Sequence, residues 1–232
     1  MNYKRLQFLL EELRANRFNS PEELKDYYIK LFYELLNITP ISYPNIDMIL
    51  NKADINKIYL TSDIHFMSNG EDDELKIFNH NKVIKNDCVL ICLGDITNKY
   101  NYNPDILSDL IKRLNKGYYS ILCFGNHDVA GKQFYMNCGF DFVCRGFIWH
   151  DICFTHIPIK TVNNKPFHVN IHGHLHRDNV MDHKNSKQLY DFNKVDITYI
   201  KVYTCKENNY QPVKLIDLLN KFVEKEMNNS YY

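Results

Sequence analysis

No run of apolar residues in this sequence approaches the ~18 to 20 needed to cross a bilayer as a helix. Net charge is also missing. Lys plus Arg and Asp plus Glu stand at 28 each, so no global field draws the chain to nucleic acid or to an anionic membrane. The seven cysteines include no Cys-x-x-Cys pair and lie mostly inside apolar runs, which suits buried thiols better than a zinc ribbon or a disulfide framework. Glu11-Glu12 interrupts the N-terminal stretch before a signal-peptide core can form, and no internal repeat occurs. These absences leave a soluble, cytoplasmic α/β protein as the expectation, with 232 residues enough for one well-packed core.

Residues 3–17 carry Leu6, Leu9, Leu10 and Leu13 at helical spacing, and Ser20-Pro21-Glu22-Glu23 reads as a capping box opening a second helix through Leu36. Pro40 and Pro44 then break the chain. Residues 1–50 are therefore read as an N-terminal helical extension, either a packing element or a cap, ahead of a main domain over 51–232. In that domain the strand-like runs Ile58 to Thr61, Cys88 to Leu93 and Tyr118 to Phe124 alternate with helical patterns. One helix presents Leu75, Phe78, Val83 and Ile84; the other runs from Asp105 to Leu114 behind the start signal Asn103-Pro104. This alternation implies parallel βαβ units. Gly131 to Cys138 reads as a further short helix. From Phe140 the runs shorten: Phe140 to Cys144, Phe147 to Trp149, Ile152 to Thr155, Val169 to Ile171 and Ile197 to Tyr203. They read as antiparallel or mixed strands of a second sheet packed on the first, with helices outside. Pro212 opens a last helix carrying Leu215, Leu218, Leu219, Phe222 and Val223.

Polar stretches close several of the strand-like runs: Asp63-Ile64-His65, Gly94-Asp95, Gly125-Asn126-His127-Asp128, His156, and Gly173-His174-Leu175-His176. Each is common by itself. Together, at the strand ends where open α/β sheets bind ligands, they supply Asp63, His65, Asp95, Asn126, His156, His174 and His176. Carboxylates, an amide oxygen and imidazoles suit Mn, Fe, Zn or Co, whereas Mg or Ca favours nearly all oxygen. So many donors exceed what one catalytic ion with an open water position can use. Two ions sharing an Asp use them well, hold a water or hydroxide between them and clamp a phosphoryl group. The implied reaction is hydrolysis of a phosphate ester or anhydride.

In this order the stretches resemble the calcineurin-like metallophosphoesterase family over about residues 57–205, and Thr61 to Phe66 with Tyr210-Gln211-Pro212-Val213 look most similar to small, largely uncharacterised bacterial and phage members. The resemblance implies a four-layer αββα fold, two mixed β-sheets packed as a sandwich and flanked by helices. It also implies two divalent transition-metal ions, Mn first, with Fe, Zn, Co or Ni as the others. Asp63, His65 and His176 would belong to one ion, Asn126, His156 and His174 to the other, with Asp95 bridging. His127 would then face the substrate as proton donor or charge stabiliser, and Asp128 would fix its tautomer.

The chain departs from the phosphoprotein phosphatases, which usually follow Gly-Asp with Asp-Arg-Gly; here Gly94-Asp95 continues as Ile96-Thr97-Asn98-Lys99. Phe66-Met67-Ser68 likewise departs from the Phe, Gly and further His of the most similar members. The expected partner is a phosphorylated small-molecule or nucleotide-type substrate, with no membrane and with nucleic acid not favoured. The alternatives are a nuclease using the same two-metal site, which would need Lys112, Arg113 and Lys116 gathered into a groove, and a non-catalytic metal-binding scaffold. His172 is a candidate for orienting a ligand. Arg145 and Arg177 are candidates for phosphate contact. His80, His150, His168 and His183 read as surface or structural, and Glu71 to Glu74 as a solvated helix start.

Overall fold

The computed structural model describes residues 42–159, 167–174, 198–202 and 208–221. The helices read over 3–17 and 20–36, together with His176, Arg177, His183, Phe222 and Val223, lie outside the described residues. The chain divides into Met1–Ile38 and Thr39–Tyr232, and every described residue belongs to the second unit.

Strands β1 (Ile58–Thr61), β2 (Val89–Cys92), β3 (Tyr119–Cys123) and β4 (Phe142–Cys144) form a parallel ladder in the order β4-β3-β2-β1. The second sheet has the order β5 (Gly146–Trp149), β6 (Ile152–Thr155), β7 (Val169–His172), β8 (Thr198–Lys201). Its β5–β6 pair is antiparallel and the other two are parallel. A short β9 (Val213–Lys214) adds antiparallel to β1, so the first sheet is mixed as well. Two expectations change here. The run ending at Cys144 joins the first sheet instead of the second. The last helix begins only after β9, at residues 215–221, because Val213 and Lys214 first pair with the open edge of β1.

Strand β2 shows why a continuous apolar run suits a sheet covered on both faces. Val89 and Ile91 point between the sheets, where Leu60, Phe147, Phe154 and Ile171 meet them. Cys92, on the opposite face, packs with Leu122, Leu107 and Ile111 beneath α3 (Pro104–Arg113), and Tyr135 of α4 (Lys132–Asn137) closes that layer. Phe147 and Phe154 stack at 4.7 Å between ring centroids inside the sandwich. Each buried aromatic of this kind stabilises the fold by about 2 to 3 kcal/mol.

Two further helices depart from the sequence reading. Pro44 does not break the chain but starts α1 (Pro44–Lys52), because a first-turn position needs no N–H donor. Ile46 and Leu50 of α1 are fully buried in the sandwich core, so the packed unit reaches upstream of the residue-51 boundary. In α2 (Asp73–Val83), capped by the Asp72 side chain, Leu75 and Phe78 are 41% and 58% exposed. The buried face is Lys76, Ile77, Asn79 and His80. Polar partners explain the difference: Lys76 reaches His65 O and the carboxylates of Glu71 and Asp73 at the start of the helix, and His80 Nε2 lies 2.9 Å from Asn115 O. His80 is therefore structural, as expected, whereas His150 and His168 are exposed. The described cysteines are all buried and free. No helix among the described residues is long and apolar enough to cross a membrane.

Candidate metal centre

The parallel strands β1, β2 and β3 end at one edge of the first sheet, and the loops that leave them carry Asp63, His65, Asp95, Asn126, His127 and Asp128. Parallel β6 and β7 end beside them and supply His156 and His174 from the second sheet. Backbone hydrogen bonds lock the loops together: Asp63 N donates to Gly94 O at 2.9 Å, His65 N to Asp95 O at 2.9 Å, and Gly173 N to His156 O at 3.0 Å. Asp63, His65, Asp95 and His174 all adopt left-handed backbone, with φ of 56°, 48°, 52° and 69°. Such conformations cost non-glycine residues of order 1 kcal/mol or more each and persist only where the surroundings dictate them. Close approach adds to the constraint. A Cβ on Gly173 would stand 1.8 Å from Ser62 Oγ, so only glycine lets β7 end against the Asp63 turn.

Asp95 lies at the centre. It is fully buried, its Oδ1 accepts the His127 N–H at 2.7 Å, and its Oδ2 faces His156 Nε2 at 3.2 Å and His65 Nε2 at 3.7 Å. Two potential metal-binding groups share it: Asp63 with His65 and Asp95, and Asp95 with His156 and His174, the donor atoms of each group lying within 4.8 Å of one another. Asn126 Oδ1, 3.1 Å from His156 Nε2, adjoins the second group. His176, read from the sequence as a further donor to the first group, lies outside the described residues.

The donor set fits a divalent metal for a reason visible at His156. Its Nδ1 sits 2.6 Å from Leu93 O, a contact that requires Nδ1 to carry hydrogen. Nε2 then directs its remaining position at two oxygens, Asp95 Oδ2 and Asn126 Oδ1. Three acceptors facing one another are stable only around a cation, a proton or a metal. In the metal-free protein the proton serves: burial alone would lower the His156 pKa, but the Asp95 carboxylate overcomes it and raises the value to about 9. Burial likewise opposes charge on His65, and its contacts with Asp63 and Asp95 reverse that, leaving its pKa raised. Burial would raise the Asp95 pKa, yet the surrounding imidazoles, His156 foremost, hold it well below the usual carboxylate range. A mixed set of carboxylate, imidazole and amide donors matches borderline divalent metals.

His127 stands beside this cluster and outside both donor groups, its ring edge-on to His65 at 4.8 Å. Its Nδ1 is buried with no hydrogen-bond partner among the described residues, and burial lowers its pKa to about 4. The reading of Asp128 as the residue that fixes the His127 tautomer is not what the structure shows. Asp128 Oδ2 accepts the backbone N–H groups of Asp95 and Gly125 at 2.8 Å each, and Oδ1 accepts Ile96 N–H at 2.9 Å and Tyr135 O–H at 3.3 Å. Asp128 thus clamps the turn that presents Asp95. Burial and the neighbouring Asp95 charge raise its pKa to about 6, with the backbone N–H donors opposing.

Further residues of the site carry no motif. Ser62 Oγ donates to Asp63 Oδ2 at 2.5 Å, and the same oxygen accepts His174 N–H at 3.1 Å. Lys76 Nζ donates to His65 O at 2.7 Å and pairs with Glu71 at 2.9 Å and Asp73 at 3.0 Å. Lys76 was not singled out in the sequence, where Glu71 to Glu74 just before it read as a solvated helix start. His172 is fully buried with Nδ1 2.8 Å from Gly173 O, and burial lowers its pKa to about 4. Arg145 follows β4 half-buried; burial lowers its pKa.

A family model described as calcineurin-like phosphoesterase matches residues 56–219 of this chain. Among solved structures, AQ665 from Aquifex aeolicus, a protein of unknown function, is 22% identical, with 70% of this chain and 98% of that one covered at a TM-score of 0.48. The nuclease MPE of Pseudomonas putida is also 22% identical, with 52% of this chain and 62% of that one covered at a TM-score of 0.42. No curated protein matches the chain.

Proposed function

Since the chain belongs to the calcineurin-like phosphoesterase family, whose model spans residues 56–219, we propose that it hydrolyses phosphodiesters or small phosphate esters at a site for two divalent cations. The observation that carries this reading is the shared position of Asp95 in both donor groups. Asp63, His65 and Asp95 would hold one cation, with His176 as a further donor, and Asp95, Asn126, His156 and His174 the other. Bound cations would supply Lewis acidity, neutralising phosphoryl charge and lowering the pKa of water. Mn is the first choice, ahead of Fe, Zn, Co and Ni.

The chain's own groups do the positioning. Leu93 O fixes the His156 tautomer, so Nε2 is the donor nitrogen. The His127 N–H aligns Asp95 Oδ1, and Asp128 holds the turn behind it. The His127 ring, edge-on to that of His65 at 4.8 Å, is placed to give an N–H to a phosphoryl or leaving-group oxygen. The left-handed donors are set in place before substrate arrives, which removes reorganisation from the reaction coordinate.

A nuclease would need a basic approach to this edge. Lys112, Arg113 and Lys116 precede β3 and so stand at the end of the sheet away from the site. Arg113 pairs with Glu74, and Lys116 Nζ donates to Ile111 O and Leu114 O. The missing Asp-Arg-Gly stretch after Asp95 speaks against a phosphoprotein substrate.

The purified chain with Mn is expected to hydrolyse bis(p-nitrophenyl) phosphate or p-nitrophenyl phosphate, and EDTA and Asp95→Asn to abolish that activity. Absence of turnover of both compounds with Mn, Fe, Zn, Co and Ni would overturn the reading and favour a metal-binding scaffold.

A further inference from the structure

The loop that leaves β2 does more than deliver Asp95. It continues through Ile96 to a short 3-10 turn, Lys99–Asn101, capped by Asn98 Oδ1 accepting the Tyr100 N–H at 3.1 Å. This stretch is zipped to the loop that carries His65. Phe66 N donates to Ile96 O at 2.7 Å, Asn98 N to Phe66 O at 3.0 Å, and Phe66 and Thr97 form a parallel bridge. Asn101 Nδ2 completes the seam, donating to Met67 O at 2.8 Å and Asn69 Oδ1 at 3.0 Å.

The seam holds Lys99 and Tyr100 at the mouth of the site. Tyr100 is 70% exposed, and its ring stands edge-on to that of His127 at 5.7 Å between centroids. Lys99 Nζ lies 5.2 Å from the Tyr100 ring centroid. Its charge acts on both Asp95 and His127: Asp95 favours the ammonium against burial, and the ammonium in turn disfavours charge on His127. Val129, two residues beyond His127, is also exposed. A single exposed tyrosine on a protein surface is ordinary. An exposed aromatic ring and a cation fixed to a braced backbone, within a ring's width of the residue facing the substrate, form a recognition surface.

We propose that Lys99 and Tyr100 form the substrate-binding rim, Lys99 meeting the charge of the phosphate and Tyr100 stacking on a nucleobase or similar flat aromatic group attached to it. The proposal rests on the phosphoester reading of the adjoining site and narrows its substrate class to nucleotide-like phosphates. Lys99 would take the part of a phosphate-binding cation in a stretch without arginine, and its approach along the Tyr100 face keeps both groups in one orientation.

AMP and ribose 5-phosphate share the phosphate and differ in the base, so calorimetric titration of each into the Mn-loaded chain separates the two contributions. The wild-type chain is expected to bind AMP about tenfold more tightly, the size of one base–aromatic stack. Tyr100→Leu should bring AMP to the level of ribose 5-phosphate. Lys99→Gln should weaken both ligands about tenfold, with Lys99→Arg recovering most of the loss. Equal affinity of the wild-type chain for the two ligands, or an AMP preference that survives Tyr100→Leu, would overturn the role of Tyr100. Unaltered binding in Lys99→Gln would overturn that of Lys99. A chain that prefers AMP yet hydrolyses no phosphoester keeps the rim and loses the phosphohydrolase reading; a hydrolase without base preference does the reverse.

Discussion

The Lys76 ammonium lies 2.7 Å from the carbonyl oxygen of His65, eleven residues earlier in the chain, and so ties helix α2 to the loop that carries a candidate ligand. His65 has left-handed backbone, and its carbonyl is held by a lysine only 1% exposed. Glu71 and Asp73 balance the lysine charge, and the Phe66 and Tyr210 rings lie 5.9 and 5.7 Å from its Nζ. The buried cation thus connects helix α2 to the orientation of a candidate ligand.

Lys76→Met retains most of the aliphatic stem and removes the ammonium. Two carboxylates then face each other without a counter-charge, and the partly exposed position of both limits the cost to about 2 kcal/mol. Urea unfolding should register that loss, and Mn affinity should fall about tenfold because His65 is no longer held. A destabilised variant with undiminished Mn affinity would show that Lys76 serves the fold alone.

His127 stands outside both donor groups, so His127→Ala is expected to keep its metal content by elemental analysis while kcat falls ~100-fold. His127→Gln retains an N–H donor and cannot titrate. If the ring acts by hydrogen bonding to phosphoryl charge, the Gln variant should be several-fold faster than the Ala variant; equal rates would point to proton donation.

Metal binding should release a proton. In the metal-free protein His156 Nε2 faces two oxygens and its pKa is raised to about 9, so near pH 7.5 it is charged and must lose that proton to become a donor. Calorimetric titration of Mn in buffers of different ionisation enthalpy measures the release directly. Zero release at pH 7.5 would contradict a protonated His156 Nε2 in the metal-free chain.

Acid stability should depend on a histidine away from the centre. Burial lowers the His80 pKa to about 4, below the ~6.5 of an unfolded chain. The unfolded state therefore binds the proton first. The contribution of neutral His80 is complete above ~6.5 and fades as pH falls towards 4, a loss of about 2 kcal/mol by pH 5. His80→Gln keeps a donor for Asn115 O without titrating, and its urea midpoint should fall less between pH 7 and pH 5 than that of the wild-type chain.

Much of the architecture was legible because its signals are local. Apolar runs of β-rich composition gave β1, β2 and β3 within a residue or two, and Asn103-Pro104 marked the start of α3. Polar residues closing those runs led to Asp63, His65, Asp95, Asn126, His156 and His174, which the structure brings together. What the sequence hid depends on partners distant in the chain. The apolar pattern of α2 pointed to Leu75 and Phe78, but Lys76 and His80 find polar partners and turn inwards instead. Asp128 follows His127 directly, and adjacency suggested that it orients that ring. Only the folded loops show its carboxylate turned to the N–H groups of Asp95, Ile96 and Gly125. Proline at 44 read as a break because helix start and chain break share a residue type, and buried Ile46 and Leu50 decide between them.

The candidate donors are divided between the two sheets: Asp63, His65, Asp95 and Asn126 follow strands of one, His156 and His174 strands of the other. A chain with only the first sheet formed would carry the Asp63, His65 and Asp95 group and lack His156 and His174, so the second group needs both sheets. That second group is assembled only where the sandwich closes. A cation held by Asp95, His156 and His174 would therefore tie the two sheets together and resist their separation.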